Sequence, residues 1–125
     1  MTKVLVADDE TRIREVLVDI LTDDGYDVAE AKNGRIALEK VQLDRPDIIL
    51  LDVMMPEMDG FEALKQLNSD PSTHSIPVIM VTAKGQETDI AVATEAGAWG
   101  YIRKPWENGE VEATVQAALE GIGQG

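Results

Sequence analysis

Apolar residues fall along this chain in two rhythms. Four short runs, residues 4–7 (VLVA), 48–51 (IILL), 77–82 (PVIMVT) and 100–103 (GYIR), have strand length and almost no polar alternation. Uninterrupted apolarity of that kind predicts strands of a parallel sheet covered on both sides. A fifth run, residues 26–31 (YDVAEA), alternates and carries charge, which predicts an edge strand. Between these runs the period lengthens to that of a helix. Ile13, Val16, Leu17, Ile20 and Leu21 make one apolar stripe, and Val111, Val115, Ala118, Leu119 and Ile122 make another. Shorter stripes run through Ala37, Leu38 and Val41 and through Phe61, Leu64 and Leu67, with a weak one over residues 90–96.

Gly25, Gly34, Gly97 and the pair Pro71 and Pro77 punctuate these segments where stops and turns are needed. The strand and helix signals alternate as (βα) five times. Right-handed crossovers with helices on both faces then predict an α/β, doubly wound, five-stranded parallel sheet of flavodoxin-like order 2-1-3-4-5. No repeat, low-complexity tract or linker interrupts the pattern, so one domain over residues 1–125 is expected.

Such a sheet concentrates chemistry at the carboxyl ends of its strands, near the point where strand order reverses. Strand one ends in Asp8, Asp9 and Glu10, strand three in Asp52, strand four in Thr82, and strand five in Arg103 and Lys104 before Pro105. The predicted order therefore gathers carboxylates, a hydroxyl and an ammonium on one edge. Acids held together repel unless a cation neutralises them. Oxygen-only donors at an open site suit Mg²⁺, which commonly binds through one or two carboxylates plus a phosphoryl oxygen. Lys104 and Thr82 would then serve that phosphoryl group as a charge and a hydroxyl donor. Asp52 is the candidate nucleophile, to become an aspartyl-phosphate, with Asp8 and Asp9 better placed to hold metal. Taken singly each residue has a plainer reading: ADDET can be a helix N-cap with acids at the positive end of the helix dipole, and Lys104 a surface lysine. Their coincidence on one edge of one sheet is what favours a site.

Composition narrows the functions available. Acidic residues number 24 against 11 basic ones, for a net charge of -13, which disfavours contact with nucleic acid and with anionic membrane surfaces. There is no cysteine, so disulfides, thiol catalysis and Cys-ligated zinc are excluded. The single histidine, His74, lies in the polar stretch SDPSTHSIP and reads as a solvated loop residue. No apolar run approaches the ~18 residues of a membrane span, and the N-terminus lacks the features of a signal peptide. A cytoplasmic location is expected.

Four motifs, VLVADDE, ILLDVMMPEMDG, VIMVTA and GAWGYIRKP, occur in this order and are spread over nearly the whole chain. On them the chain resembles the receiver domain of two-component response regulators, in extent the stand-alone chemotaxis type. The resemblance implies that Asp52 accepts a phosphoryl group from a phosphohistidine on a sensor histidine kinase or phosphotransfer protein. It implies Mg²⁺ held by Asp9 and Asp52 and by the Met54 carbonyl, with Asp8 acting mainly through water. Thr82 and Lys104 would grip the phosphoryl oxygens. Thr82 and Tyr101 would form the switch, and Lys104–Pro105 would be a cis peptide. The readout surface, for a downstream protein that the sequence does not identify, would be helix 4, strand 5 and helix 5, over residues 87–120. A monomer or weak dimer is expected, catalysing only its own phosphorylation and slow dephosphorylation. The same motifs occur in a receiver excised from a larger regulator.

Some positions vary from the family pattern. Trp99 and Trp106 flank Lys104 where a small polar residue and a phenylalanine are common, and packing is the expected role of both. Met54 and Lys84, two residues beyond Asp52 and Thr82, stand where the family controls attack of water on the phosphoryl group. Three rivals fit less well, one being a degenerate receiver that binds partners without phosphorylation, against which stands the complete set of acids, hydroxyl and lysine. An aspartate-nucleophile Mg²⁺ phosphohydrolase needs a second Asp where Met54 stands, and a flavin carrier needs a glycine- and hydroxyl-rich loop where the chain has ADDET.

Overall fold

The computed structural model describes residues 2–83 and 87–121. Strands and helices alternate throughout: β1 (Lys3–Ala7), α1 (Thr11–Asp23), β2 (Asp27–Ala31), α2 (Gly34–Leu43), β3 (Ile48–Leu51), α3 (Gly60–Ser69), β4 (Val78–Thr82), α4 (Glu87–Glu95), β5 (Gly100–Arg103) and α5 (Glu110–Glu120). The five strands form one sheet in the order β2-β1-β3-β4-β5, with every neighbouring pair parallel. Fold class and strand order are those the hydrophobic pattern predicts. The charged, alternating run is an edge strand, and β1, β3 and β4 lie inside.

The pleat divides the core in two. Val4, Val6, Ile48, Leu50, Ile79, Val81 and Ile102 face one side, where Leu17 and Leu21 of α1 and Val111, Val115 and Ala118 of α5 cover them. Leu5, Ala7, Ile49, Leu51, Val78 and Met80 face the other, under residues of α2, α3 and α4. Alternate residues of a strand point to opposite faces, so a strand clothed by helices on both sides has no position left for a polar residue. All four residues of β3 are buried for that reason.

Strand limits shift by one residue from expectation where the backbone dictates it. β1 starts at Lys3 because Lys3 pairs with Asp27, and β4 starts after Pro77, which has no N–H to donate. α4 carries the weakest stripe. Of its described side chains Ala93 is buried, whereas Val92 is half exposed. Ile122 and Lys84, singled out in the sequence, lie outside the described residues. No helix among the described residues is long and apolar enough to cross a membrane.

Two glycines mark close backbone approaches beside the end of β3. A Cβ on Gly60, the first residue of α3, would collide with the carbonyl oxygen of Asp52 and lie 2.9 Å from the Val53 Cα. A Cβ on Gly34, the first residue of α2, would stand 2.5 Å from the Met58 carbonyl oxygen. Both helices therefore start hard against the loop 53–59 that joins β3 to α3.

Candidate functional site

Sheet register decides which strand ends meet. Ala7 pairs with Leu51, so Asp8 and Asp52 leave the sheet side by side. Thr82 pairs with Arg103, so Lys104 leaves beside Thr82. Backbone hydrogen bonds carry the ladder one step past the strands: Asp8 N–H donates to Ala31 O (3.0 Å), Asp52 N–H to Ala7 O (2.9 Å) and Lys104 N–H to Thr82 O (3.0 Å). Asp8, Asp52 and Thr82 are all buried, at 1%, 4% and 1% exposure. The acid that follows IILL is thus the first residue the chain can place beyond its own core, at the edge where the sheet opens.

Lys104 organises the site. Its Nζ donates to Asp8 Oδ2 at 2.7 Å, to Asp52 Oδ2 at 3.1 Å and to Glu10 Oε1 at 3.4 Å. Asp8 Oδ1 accepts from Glu10 N–H at 2.9 Å, and Asp52 Oδ1 faces Met54 N–H at 3.4 Å. Burial pushes the Asp8 carboxyl above the usual carboxylate range, although the hydrogen bond from Lys104 resists the shift. For Lys104 burial works against the charge. The hydrogen bond to Asp8 and the charges of Asp52 and Asp8 outweigh it and hold the ammonium above the ordinary lysine value. The cation is secured, and the acids around it still outnumber it.

The carboxylates that can offer oxygens to a common point are those of Asp8, Glu10 and Asp52, one oxygen of each lying within 4.8 Å of the others. Glu10 was not among the expected metal-holding residues, and Asp9, which was, lies outside this group. Along extended backbone, residues two apart face the same way, and Glu10 has extended φ and ψ. Asp9 is exposed and lines a neighbouring groove with Met54, Met55, Asp59 and Phe61. The signal for Glu10 was present in ADDE as a period of two from Asp8.

The switch candidates lie on the same side of the molecule. Tyr101 on β5 pairs with Met80 and packs, partly buried, against the core beneath α2, α3 and α4. Among the described residues its hydroxyl is buried without a hydrogen-bond partner. Burial, reinforced by the charge of Asp89, raises the phenol pKa. The Lys104–Pro105 peptide is cis, as the resemblance implied. Trp99 and Trp106 both pack against the other core, beside α1 and α5.

Comparison with known proteins fits this geometry. The family model described as the response regulator receiver domain matches residues 4–116. The alkaline phosphatase synthesis transcriptional regulatory protein PhoP of Bacillus subtilis is 44% identical over 117 residues, which are 94% of this chain and 48% of PhoP. Protein PilH of Pseudomonas aeruginosa is 36% identical over 121 residues, 97% of this chain and 100% of PilH. The chain thus spans about half the length of PhoP and all of PilH. Among solved structures, a response regulator from Chloroflexus aurantiacus superposes with a TM-score of 0.91 at 33% identity, covering 95% of this chain and 98% of that one. With a match over nearly the whole sheet and acids, hydroxyl and lysine converging at its carboxyl edge, the chain belongs to the response regulator receiver domain family.

Proposed function

We propose that this chain is a phosphorylation-activated signalling switch in which Asp52 is the acceptor. The observation that carries the reading is Lys104, an ammonium held between two buried carboxylates at the ends of β1 and β3. A lysine so placed can release Asp52 to a phosphoryl group and stay paired to the product's new oxygens, because its second partner Asp8 keeps it in position. In the transfer a carboxylate oxygen of Asp52 attacks phosphorus. The O–P bond forms as the P–N bond of a phosphohistidine on a sensor kinase or phosphotransfer protein breaks. The electron pair returns to the imidazole, which picks up a proton from water.

The donor set fits a hard divalent cation. It is made of oxygens, converges within 4.8 Å, and carries more negative charge than Lys104 neutralises. Asp8, Asp52 and the Met54 carbonyl would hold Mg²⁺, with Glu10 or Asp9 as a further carboxylate arm. Bound there, the ion would offset charge accumulating on the phosphoryl oxygens. Lys104 and Thr82 would orient those oxygens, and Met54, 61% exposed beside Asp52, would flank the approach of hydrolytic water.

The switch would follow from the same contacts. Phosphoryl oxygens draw the Thr82 hydroxyl toward Asp52, and the Tyr101 side chain moves into the space vacated. The α4, β5 and α5 face then changes shape for a downstream protein. Residues 1–125 would act as one receiver unit in the cytoplasm, as a monomer or weak dimer.

The test is intact mass after incubation with acetyl phosphate or phosphoramidate, with and without Mg²⁺. One added phosphoryl group is expected, dependent on Mg²⁺ and absent from Asp52→Asn. An adduct of equal yield in Asp52→Asn would remove Asp52 as the acceptor.

A further inference from the structure

The loop 53–59 leaves the site directly from Asp52 and is gripped from α2. Glu57, at its middle, has φ 66, the left-handed region that a residue bearing Cβ disfavours, and it is the one non-glycine with positive φ among the described residues. Its carboxylate is engaged on both oxygens. Asn33 Nδ2 donates to Oε2 at 3.0 Å and Arg35 Nε donates to Oε1 at 3.3 Å.

Asn33 is 2% exposed and spends its other amide atom on capping α2, where Oδ1 accepts from Ile36 N–H at 2.8 Å. Without Glu57 its buried NH₂ would lack this acceptor, and burial makes a lost partner costly. Between Asn33 and Arg35, the Cβ-less Gly34 lets α2 approach the Met58 carbonyl. Three successive residues at the start of α2 thus hold two residues of the loop. At the loop's far end Gly60 N–H donates to Val53 O at 2.7 Å and closes it on itself.

We propose that Glu57 is a positioning residue for the acceptor site: through Asn33 and Arg35 it locks the loop 53–59, and with it the Met54 backbone, in the conformation that receives a divalent cation beside Asp52. The proposal rests on the reading of Asp52 as a Mg²⁺-dependent acceptor. An unfavourable backbone conformation persists where its surroundings hold it, and here the holding groups are directed at the loop that would carry a metal ligand. Groups that orient a ligand without touching the metal set affinity nearly as strongly as the ligands do.

Glu57→Gly and Glu57→Gln separate the possibilities. Glycine adopts φ 66 freely, which offsets part of the cost of leaving the Asn33 NH₂ without its acceptor, so Glu57→Gly should still fold while releasing α2 from the loop. Calorimetric titration with Mg²⁺ should show about tenfold weaker binding for Glu57→Gly. Amide hydrogen exchange of residues 53–59, measured without Mg²⁺, should be faster. Glu57→Gln retains an amide oxygen for Asn33 and should recover most of both. Wild-type Mg²⁺ affinity in Glu57→Gly would overturn the proposal. So would equal weakening in Glu57→Gln, which would make the effect one of charge and not of position. A wild-type chain that bound no Mg²⁺ would instead overturn the acceptor reading, and this proposal with it.

Discussion

At the scale of single residues, the site stores unfavourable electrostatics that folding tolerates because Lys104 is there. Asp8 is the clearest case, buried, next to Asp52, and with its carboxyl above the usual range. A carboxyl raised in the folded state binds its proton more tightly there than in the unfolded chain, so its ionisation opposes folding as pH rises past the ordinary value of 3.8. Asp8→Asn, whose side-chain oxygen can still accept from Glu10 N–H, should therefore melt above wild type in Mg²⁺-free buffer at pH 7. The gap should narrow as pH falls toward the ordinary carboxylate range, because the raised Asp8 carboxyl takes up its proton before it would in the unfolded chain; a gap that is constant or widens in acid would contradict this account. Tyr101 offers a second residue-scale case. Its buried hydroxyl has no hydrogen-bond partner among the described residues, so Tyr101→Phe should leave the melting temperature unchanged or higher. A drop equivalent to 1 kcal/mol or more, about the value of one net hydrogen bond, would show a bond to that hydroxyl. The strand-end positions of Asp52, Thr82 and Lys104 were readable in the sequence because each stands at the close of a run of strand length. The orphaned hydroxyl of Tyr101 was not, because a partner's absence depends on everything that surrounds it.

At the scale of elements, the loop 53–59 and the two helices packed on it leave little room for change. Gly60 sits so close to the Asp52 carbonyl that any Cβ must displace backbone. Gly60→Ala should lose about 2 kcal/mol by urea unfolding and also slow phosphorylation by acetyl phosphate, since the displaced atom belongs to Asp52, the proposed acceptor. Loss of stability with wild-type phosphorylation would mean that the strain relaxes away from Asp52. Asp59 starts the same helix, its side chain accepting from Glu62 N–H at 2.9 Å. Helices α1, α2, α3 and α5 were legible from their stripes. α4 was only faintly so, because its described part buries little and its sequence is correspondingly free of pattern. The grip of Asn33, Gly34 and Arg35 on the loop left no periodic trace, being a contact between segments more than twenty residues apart.

At the scale of the molecule, a net charge of -13 on 125 residues means the folded chain repels itself. Raising NaCl to about 0.15 M shortens the screening length to roughly 8 Å, and the melting temperature should rise with it. Millimolar Mg²⁺ should raise it further than NaCl of equal ionic strength, and the excess should shrink in Asp52→Asn. Equal effects of the two salts in wild type would leave screening as the whole explanation. What the sequence by itself determined was the alternation of strands and helices, the parallel and doubly covered sheet, and the edge where the acids and the lysine emerge. These follow from the period of apolar residues and from the rule that the first polar residue after a buried strand lies just outside the core. Only the tertiary structure decided that an oxygen of Glu10 comes within 4.8 Å of those of Asp8 and Asp52, that one ammonium spans all three, and that the start of α2 holds the loop beside Asp52. Those outcomes depend on distances of a few ångströms between segments remote in sequence, which register and packing set together and no local pattern encodes.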